Sequence, residues 1–142
     1  CRTGTVRAPQ LAQLESFPTL HHLVACVEGR LRSDADLSAV LRAAFPGGSI
    51  TGAPKIRAMQ VLAELEPVRR SFFTGSLFWF GDDGTTDSSI LIRTLEMRQG
   101  HAWLGAGGGI VTDSDPEQEW LESNHKAAVL AAALGFSPEE AR

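Results

Sequence analysis

Three β-type runs, at residues 72–80, 88–97 and 101–106, follow one another across two short turns, Gly81-Asp82-Asp83-Gly84 and Arg98-Gln99-Gly100. Connections this short join antiparallel neighbours, because a parallel pairing needs a crossover of about a dozen residues or more. The runs therefore predict a meander of three strands in one antiparallel sheet. Upstream, Leu23, Val24, Val27 and Leu31 mark a further strand over residues 20–31 with a turn signal at Glu28-Gly29, while residues 1–9 read as an arm or an edge strand.

Helical spacing occupies much of the rest. Ser33-Asp34-Ala35-Asp36 offers capping oxygens to the pattern Leu37, Val40, Leu41 and Ala44, which Phe45-Pro46-Gly47-Gly48 stops. Pro54 suits a first helical position, Ile56, Met59, Leu62 and Leu65 give one apolar face, and Pro67 closes it. Asp113-Ser114-Asp115-Pro116 is a helix start, and Trp120, Leu121, Ala128, Leu130, Ala131 and Leu134 carry a long helix to Gly135. Hairpin strands beside flanking helices argue an α+β fold with an antiparallel sheet rather than a doubly wound one. The 142 residues suffice for one domain and are too few for two ordinary ones.

Charge and apolar run lengths exclude two classes of partner. Seventeen acidic residues face thirteen basic ones, the formal net charge is −4, and no basic cluster exceeds Arg69-Arg70, so no nucleic acid is expected to bind. The apolar stretches 90–92 and 127–134 fall far short of the roughly 20 residues that cross a bilayer, so no membrane partner is expected. Two cysteines, Cys1 and Cys26, give no disulfide framework or zinc set, and Cys26 is expected in a packed strand. A reducing, cytoplasmic compartment is the simplest reading. The chain begins at Cys1 with no signal-type segment, and it reads as a piece of something longer.

Several residues could carry chemistry. Glu119, Glu122 and Lys126 lie at offsets of three and seven, which at about 100° per residue keeps them within roughly 60° on one helix face. Two carboxylates on adjacent turns could hold a hard divalent cation such as Mg²⁺, with the lysine beside it to receive an anion. The alternative is a solvated charged face with an ordinary helical ion pair. Arg93 interrupts the apolar run 89–95 and must either point to solvent or fork an anion. Gly105-Ala106-Gly107-Gly108-Gly109 removes side chains from one spot, fitting close approach of a ligand to the backbone or a bend with positive φ. His22 could act as a general acid or be an ordinary strand residue, and Gly48-Ser49-Ile50-Thr51-Gly52-Ala53-Pro54-Lys55 could be a capped helix start only.

The run Phe45-Pro46-Gly47-Gly48-Ser49-Ile50-Thr51-Gly52-Ala53-Pro54-Lys55-Ile56-Arg57-Ala58-Met59 resembles the chorismate-utilising enzymes. The likeness continues through Glu64-Leu65-Glu66-Pro67-Val68-Arg69-Arg70, Ile92-Arg93-Thr94-Leu95, residues 105–111 with Asp113-Ser114, and Glu119, Glu122 and Lys126. It covers about residues 6–134 with every motif in the family's order. Within the family, Thr51 makes the segment look more like the large subunits of aminodeoxychorismate synthase than like anthranilate synthase component I, which usually has Ser there. Isochorismate and salicylate synthases are less similar through this segment.

The resemblance implies a Mg²⁺ cofactor held in part by Glu119 and Glu122, and chorismate as substrate. It implies that Lys126 and Arg93 bind substrate carboxylates, that Ser49 and the backbone N–H groups of Gly107 and Gly109 contact substrate, and that His22 stands near the departing 4-hydroxyl as a catalytic acid. Phe73 sits where many relatives have tyrosine. It also implies a glutamine amidotransferase partner as the ammonia source, with 4-amino-4-deoxychorismate for 4-aminobenzoate and folate synthesis as product. By the same likeness, residues 1–142 form the C-terminal part of the chorismate-binding catalytic domain. The upstream half, with a catalytic lysine and further metal-binding glutamates, is absent, so the isolated chain is expected to be inactive and marginally stable. The alternatives are a segment of anthranilate synthase component I, or a non-catalytic module that binds a partner through an open sheet face.

Overall fold

The structure is a computed structural model describing residues 1–18 and 20–136, and it divides into two units, Cys1–Phe45 and the chain from Pro46 onward. In the first unit, strands β1 (Arg7–Phe17) and β2 (Leu20–Glu28) pair antiparallel, with His22 opposite Glu15 and Leu23 opposite Leu14. The register slips between Arg7 and Gln10 and again between Gln10 and Gln13, and Ala12 takes a φ of 53°, as a bulge requires. Helix α1 (Leu37–Ala44) starts at Asp36, whose Oδ1 accepts from the Ala39 N–H at 2.7 Å. Of the two candidate capping aspartates, Asp34 is engaged by Arg32 instead.

The second unit begins with a short helix, α2 (Gly48–Thr51), followed by α3 (Lys55–Leu65) with Pro54 as its N-cap. Glu66 ends α3 and grips Arg70, with Nε to Oε2 at 2.8 Å and Nη2 to Oε1 at 2.5 Å, while Arg70 Nη1 donates to Thr74 Oγ1 at 3.3 Å. This bidentate pair is about two-thirds buried, and the guanidinium holds the Glu66 carboxyl below the usual carboxylate range. The motif around Glu66 and Arg70 thus fixes the path of the chain out of α3.

Strands β3 (Ser76–Phe80) and β4 (Thr86–Ile90) form one hairpin, β5 (Leu95–Arg98) and β6 (His101–Leu104) another. Gln99 and Gly100, with φ of 51° and 77°, make a two-residue loop whose twist matches its strands. The expected single meander is corrected here, since the run 88–97 is not one strand. It breaks at residues 91–94, where the Ile92 N–H turns back to the Ile90 carbonyl at 3.0 Å and Arg93 takes a φ of 51°. With the chain turned back at Ile92 and left-handed at Arg93 the pairing stops, so the sheet divides into two hairpins and Arg93 lies in the break rather than in a strand. The upstream strand β1 also extends well beyond the expected arm.

Helix α4 (Pro116–Ala133) matches its expected start and stop. Asp115 Oδ1 accepts from the Gln118 N–H at 2.9 Å, Pro116 occupies the first turn, and Gly135 has the positive φ of 81° that a helix stop favours. The antiparallel pairings and flanking helices make the fold α+β. Among the described residues none of the helices is long and apolar enough to cross a membrane.

Among the described residues Ala131 alone is a buried hydrophobic. Leu77 and Trp79 on one face of β3 are 65% and 53% exposed, and Phe80 on the other is 52% exposed. A strand apolar on both faces is one made to be covered on both faces. Cys26, expected to be packed, is exposed, because β2 has only β1 beside it and no described layer over it.

Candidate functional site

The site is built where the 105–109 stretch leaves β6 and passes the first turns of α4. Its glycines have different tasks. A Cβ on Gly105 would lie 2.2 Å from Phe73 Cγ, so the Phe73 ring packs directly on that backbone and only glycine fits there. None of Gly105, Gly107, Gly108 or Gly109 has a positive φ, so the alternative of a left-handed bend does not hold; Gly105 and Gly108 serve close approach, while a Cβ on Gly107 or Gly109 would meet open space.

Gly108 faces the charged tips of α4. A Cβ built on it would lie 3.0 Å from Glu119 Oε2, 3.9 Å from Glu122 Oε1 and 3.9 Å from Lys126 Nζ. Three charges from successive helical turns thus converge on one point that the missing side chain leaves open. Lys126 forms an ion pair with Glu122 and donates to the Gly107 carbonyl at 3.3 Å. That ammonium holds the Glu122 carboxyl below the usual carboxylate range, chiefly through the hydrogen bond. Glu119 is half-buried, and its Oε1 accepts from Ser114 Oγ at 2.6 Å.

Two carboxylates and a neighbouring carbonyl are hard oxygen donors, which suits a magnesium-type cation in kind. They are short of a full set, and among the described residues no three His, Cys, Asp or Glu side chains group as metal ligands. The open cradle at Gly108 therefore fits part of a metal site.

The structure brings Glu119, Glu122, Lys126 and Gly107 together, the Gly107 carbonyl accepting from Lys126 Nζ. Gly109 has nothing within 4 Å of a Cβ position, which leaves its backbone open. Ser49 lies exposed in α2 and Arg93 exposed in the break between β4 and β5, and among the described residues no hydrogen bond or ion pair joins either to the cluster. His22 belongs to the first unit, where its ring meets Phe17 edge-on at 5.6 Å. Gly108 and Ser114 were not expected to have site roles of their own. Composition marked the glycine run without saying which glycine approaches the carboxylates, and Ser114 read only as part of a helix start. A cavity of about 590 Å³ lined by Arg70, Phe73, Thr94 and Trp103 in the same unit includes none of the expected site residues.

A family model described as chorismate binding enzyme matches residues 1–132. The chain belongs to the chorismate-binding enzyme family. It is 52% identical over 123 residues to an aminodeoxychorismate synthase component 1 of Klebsiella aerogenes, covering 87% of this chain and 27% of that protein. To an anthranilate synthase component 1 of Streptomyces coelicolor it is 46% identical over 131 residues, covering 92% and 26%. The crystal structure of anthranilate synthase component I from Streptococcus pneumoniae superposes with a TM-score of 0.83 at 35% identity, covering 90% of this chain and 29% of that one. This member of the chorismate-binding family thus spans under a third of the length of these relatives.

Proposed function

We propose that the chain is the C-terminal part of a chorismate-binding catalytic domain in a longer polypeptide, and that this polypeptide aminates chorismate with ammonia from a glutamine amidotransferase. The observation that carries the reading is the convergence of Glu119 Oε2, Glu122 Oε1 and Lys126 Nζ on Gly108 in a chain that matches the family over residues 1–132. Glu119 and Glu122 would hold Mg²⁺ together with ligands from elsewhere in the polypeptide. When bound, the cation supplies Lewis acidity toward a substrate carboxylate.

The chain's own residues do the rest. Lys126 presents a cation to the same carboxylate, and the side-chain-free 107–109 backbone lets a flat ring approach without steric conflict. Arg93, exposed and held out of the ladder by its left-handed backbone, supplies a fork for the second carboxylate. Ser49 contacts substrate, and His22 in its protonated form assists loss of the hydroxyl. The exposed apolar faces of β3 support a layer supplied by the rest of the polypeptide, and on this account the isolated chain is inactive.

Two branches have support. The aminodeoxychorismate branch rests on Thr51 and on the 52% identical relative. The anthranilate branch rests on the 46% identical relative and on the solved component I with a TM-score of 0.83, and its support, from sequence and structure together, is the broader. The test is turnover of chorismate with Mg²⁺ and ammonia by the full-length polypeptide and by residues 1–142 alone, with products identified by mass and fluorescence. We expect product from the full-length polypeptide only. Anthranilate assigns the tryptophan branch and aminodeoxychorismate the folate branch. Isochorismate, or no product from a folded polypeptide, overturns the amination reading, and the latter leaves the partner-binding module as the account.

A further inference from the structure

The two oxygens of Glu119 have different surroundings, and Ser114 is the cause. The Ser114 N–H donates to the Val111 carbonyl at 3.1 Å, and the Val111 N–H donates back to Ser114 Oγ at 3.0 Å. This reciprocal pair closes the turn just before Asp115, the N-cap of α4, and fixes where the hydroxyl sits. A serine hydroxyl has one proton and two lone pairs. With the Val111 N–H on a lone pair, the proton is free for an acceptor, and Glu119 Oε1 receives it at 2.6 Å. That length is typical of a hydroxyl bonded to an ionised carboxylate. Oε2 is left over, and it is Oε2 that stands 3.0 Å from the open Cβ position of Gly108, next to Glu122 and Lys126.

We infer that Ser114 is a positioning residue that anchors Glu119 through Oε1 and so presents Oε2 as a single-oxygen ligand to the divalent cation. This inference rests on the metal role proposed above for Glu119 and Glu122. It has a consequence for which cation the site prefers. Calcium accepts six to eight oxygens and readily takes both oxygens of one carboxylate, whereas magnesium demands near-octahedral geometry with one oxygen from each ligand. Withholding Oε1 removes the two-oxygen mode that favours the larger ion. Ser114 thus acts on selectivity as well as on affinity, which a residue that merely closed a turn would not do.

The experiment measures Mg²⁺ and Ca²⁺ binding by calorimetry to the full-length polypeptide, as wild type, Ser114→Ala, Ser114→Thr and Glu119→Gln, with circular dichroism melts on each. Removing an outer partner of a ligand costs about 10–100-fold in metal affinity, so Ser114→Ala is expected to lose at least roughly tenfold for Mg²⁺. It should lose much less for Ca²⁺, so the Mg²⁺-to-Ca²⁺ affinity ratio falls. Ser114→Thr keeps the hydroxyl and should restore the ratio. An unchanged ratio in a folded Ser114→Ala variant overturns the assignment, as does a Thr variant that behaves like the Ala variant. If the wild type binds no Mg²⁺, or Glu119→Gln binds it as tightly as the wild type, the metal role itself fails and this inference with it. Those two outcomes are distinguished from the first by the wild-type and Glu119→Gln titrations.

Discussion

Replacing Gly108 with alanine separates the site from the fold. The Gly108 backbone lies outside the left-handed region, so alanine meets no backbone strain there. Reducing the freedom of the unfolded chain stabilises by about 0.4–1 kcal/mol at such a position. The new methyl would stand 3.0 Å from Glu119 Oε2, closer than ordinary contact, and that flexible tip must retreat by a few tenths of an ångström. The fold can absorb this retreat, but the cradle cannot, because the methyl occupies the point on which Glu119, Glu122 and Lys126 converge. We therefore expect Gly108→Ala in the full-length polypeptide to melt no lower than wild type while Mg²⁺ affinity drops at least roughly tenfold, the lower end of what disturbing a ligand's support costs. Gly109→Ala is the control, since nothing lies within 4 Å of its Cβ position. Calorimetric titration of both variants beside thermal melts is the assay. Equal Mg²⁺ affinity in Gly108→Ala and Gly109→Ala would refute the cradle, and a large drop in melting temperature in Gly108→Ala would refute the claim that fold and site separate there.

Further perturbations test the elements that hold the site in place. Gly105→Ala puts a Cβ 2.2 Å from Phe73 Cγ, and such overpacking costs about 1–3 kcal/mol in denaturant melts; adding Phe73→Leu should recover part of the loss. Asp115→Ala removes the acceptor for the Gln118 N–H and should cost about 1 kcal/mol of stability, read from the same melts. For Glu66, whose carboxyl is held below its ordinary value by Arg70, the stabilisation is present above the usual glutamate pKa of about 4.3 and is lost as pH falls through the lowered value. Glu66→Gln should flatten that acid loss in melts taken from neutral to acidic pH, and an unchanged acid profile would count against the pair's role.

Local signals were legible where one residue type has one physical use. Asp115-Pro116 and Gly135 bounded α4 correctly because capping and helix stops depend on neighbours in sequence. The spacing of Glu119, Glu122 and Lys126 put them on one face for the same reason. The sheet was harder to read, since residues 88–97 look continuous by their apolar pattern and only the backbone angle at Arg93 divides them. Burial was legible only in part. The apolar pattern around Cys26 reads as a packed strand, yet Cys26 is exposed, whereas the exposure of Leu77 and Trp79 accords with the open sheet face expected of a chain that lacks its upstream half. Fully burying one such side chain is worth about 1.5–3 kcal/mol, so these faces are a substantial reserve of association energy. Ser114 stayed hidden because its partner depends on where Oγ is held relative to Glu119, five residues on.

The proposed role of Glu119 and Glu122 in a Mg²⁺-dependent reaction of chorismate is tested by chorismate consumption by the full-length polypeptide titrated with Mg²⁺, comparing wild type with Glu122→Gln and Glu119→Gln. Wild-type turnover should saturate with Mg²⁺, and each variant should need far more of the ion or lose turnover altogether. The same Mg²⁺ dependence in all three proteins would rule that role out.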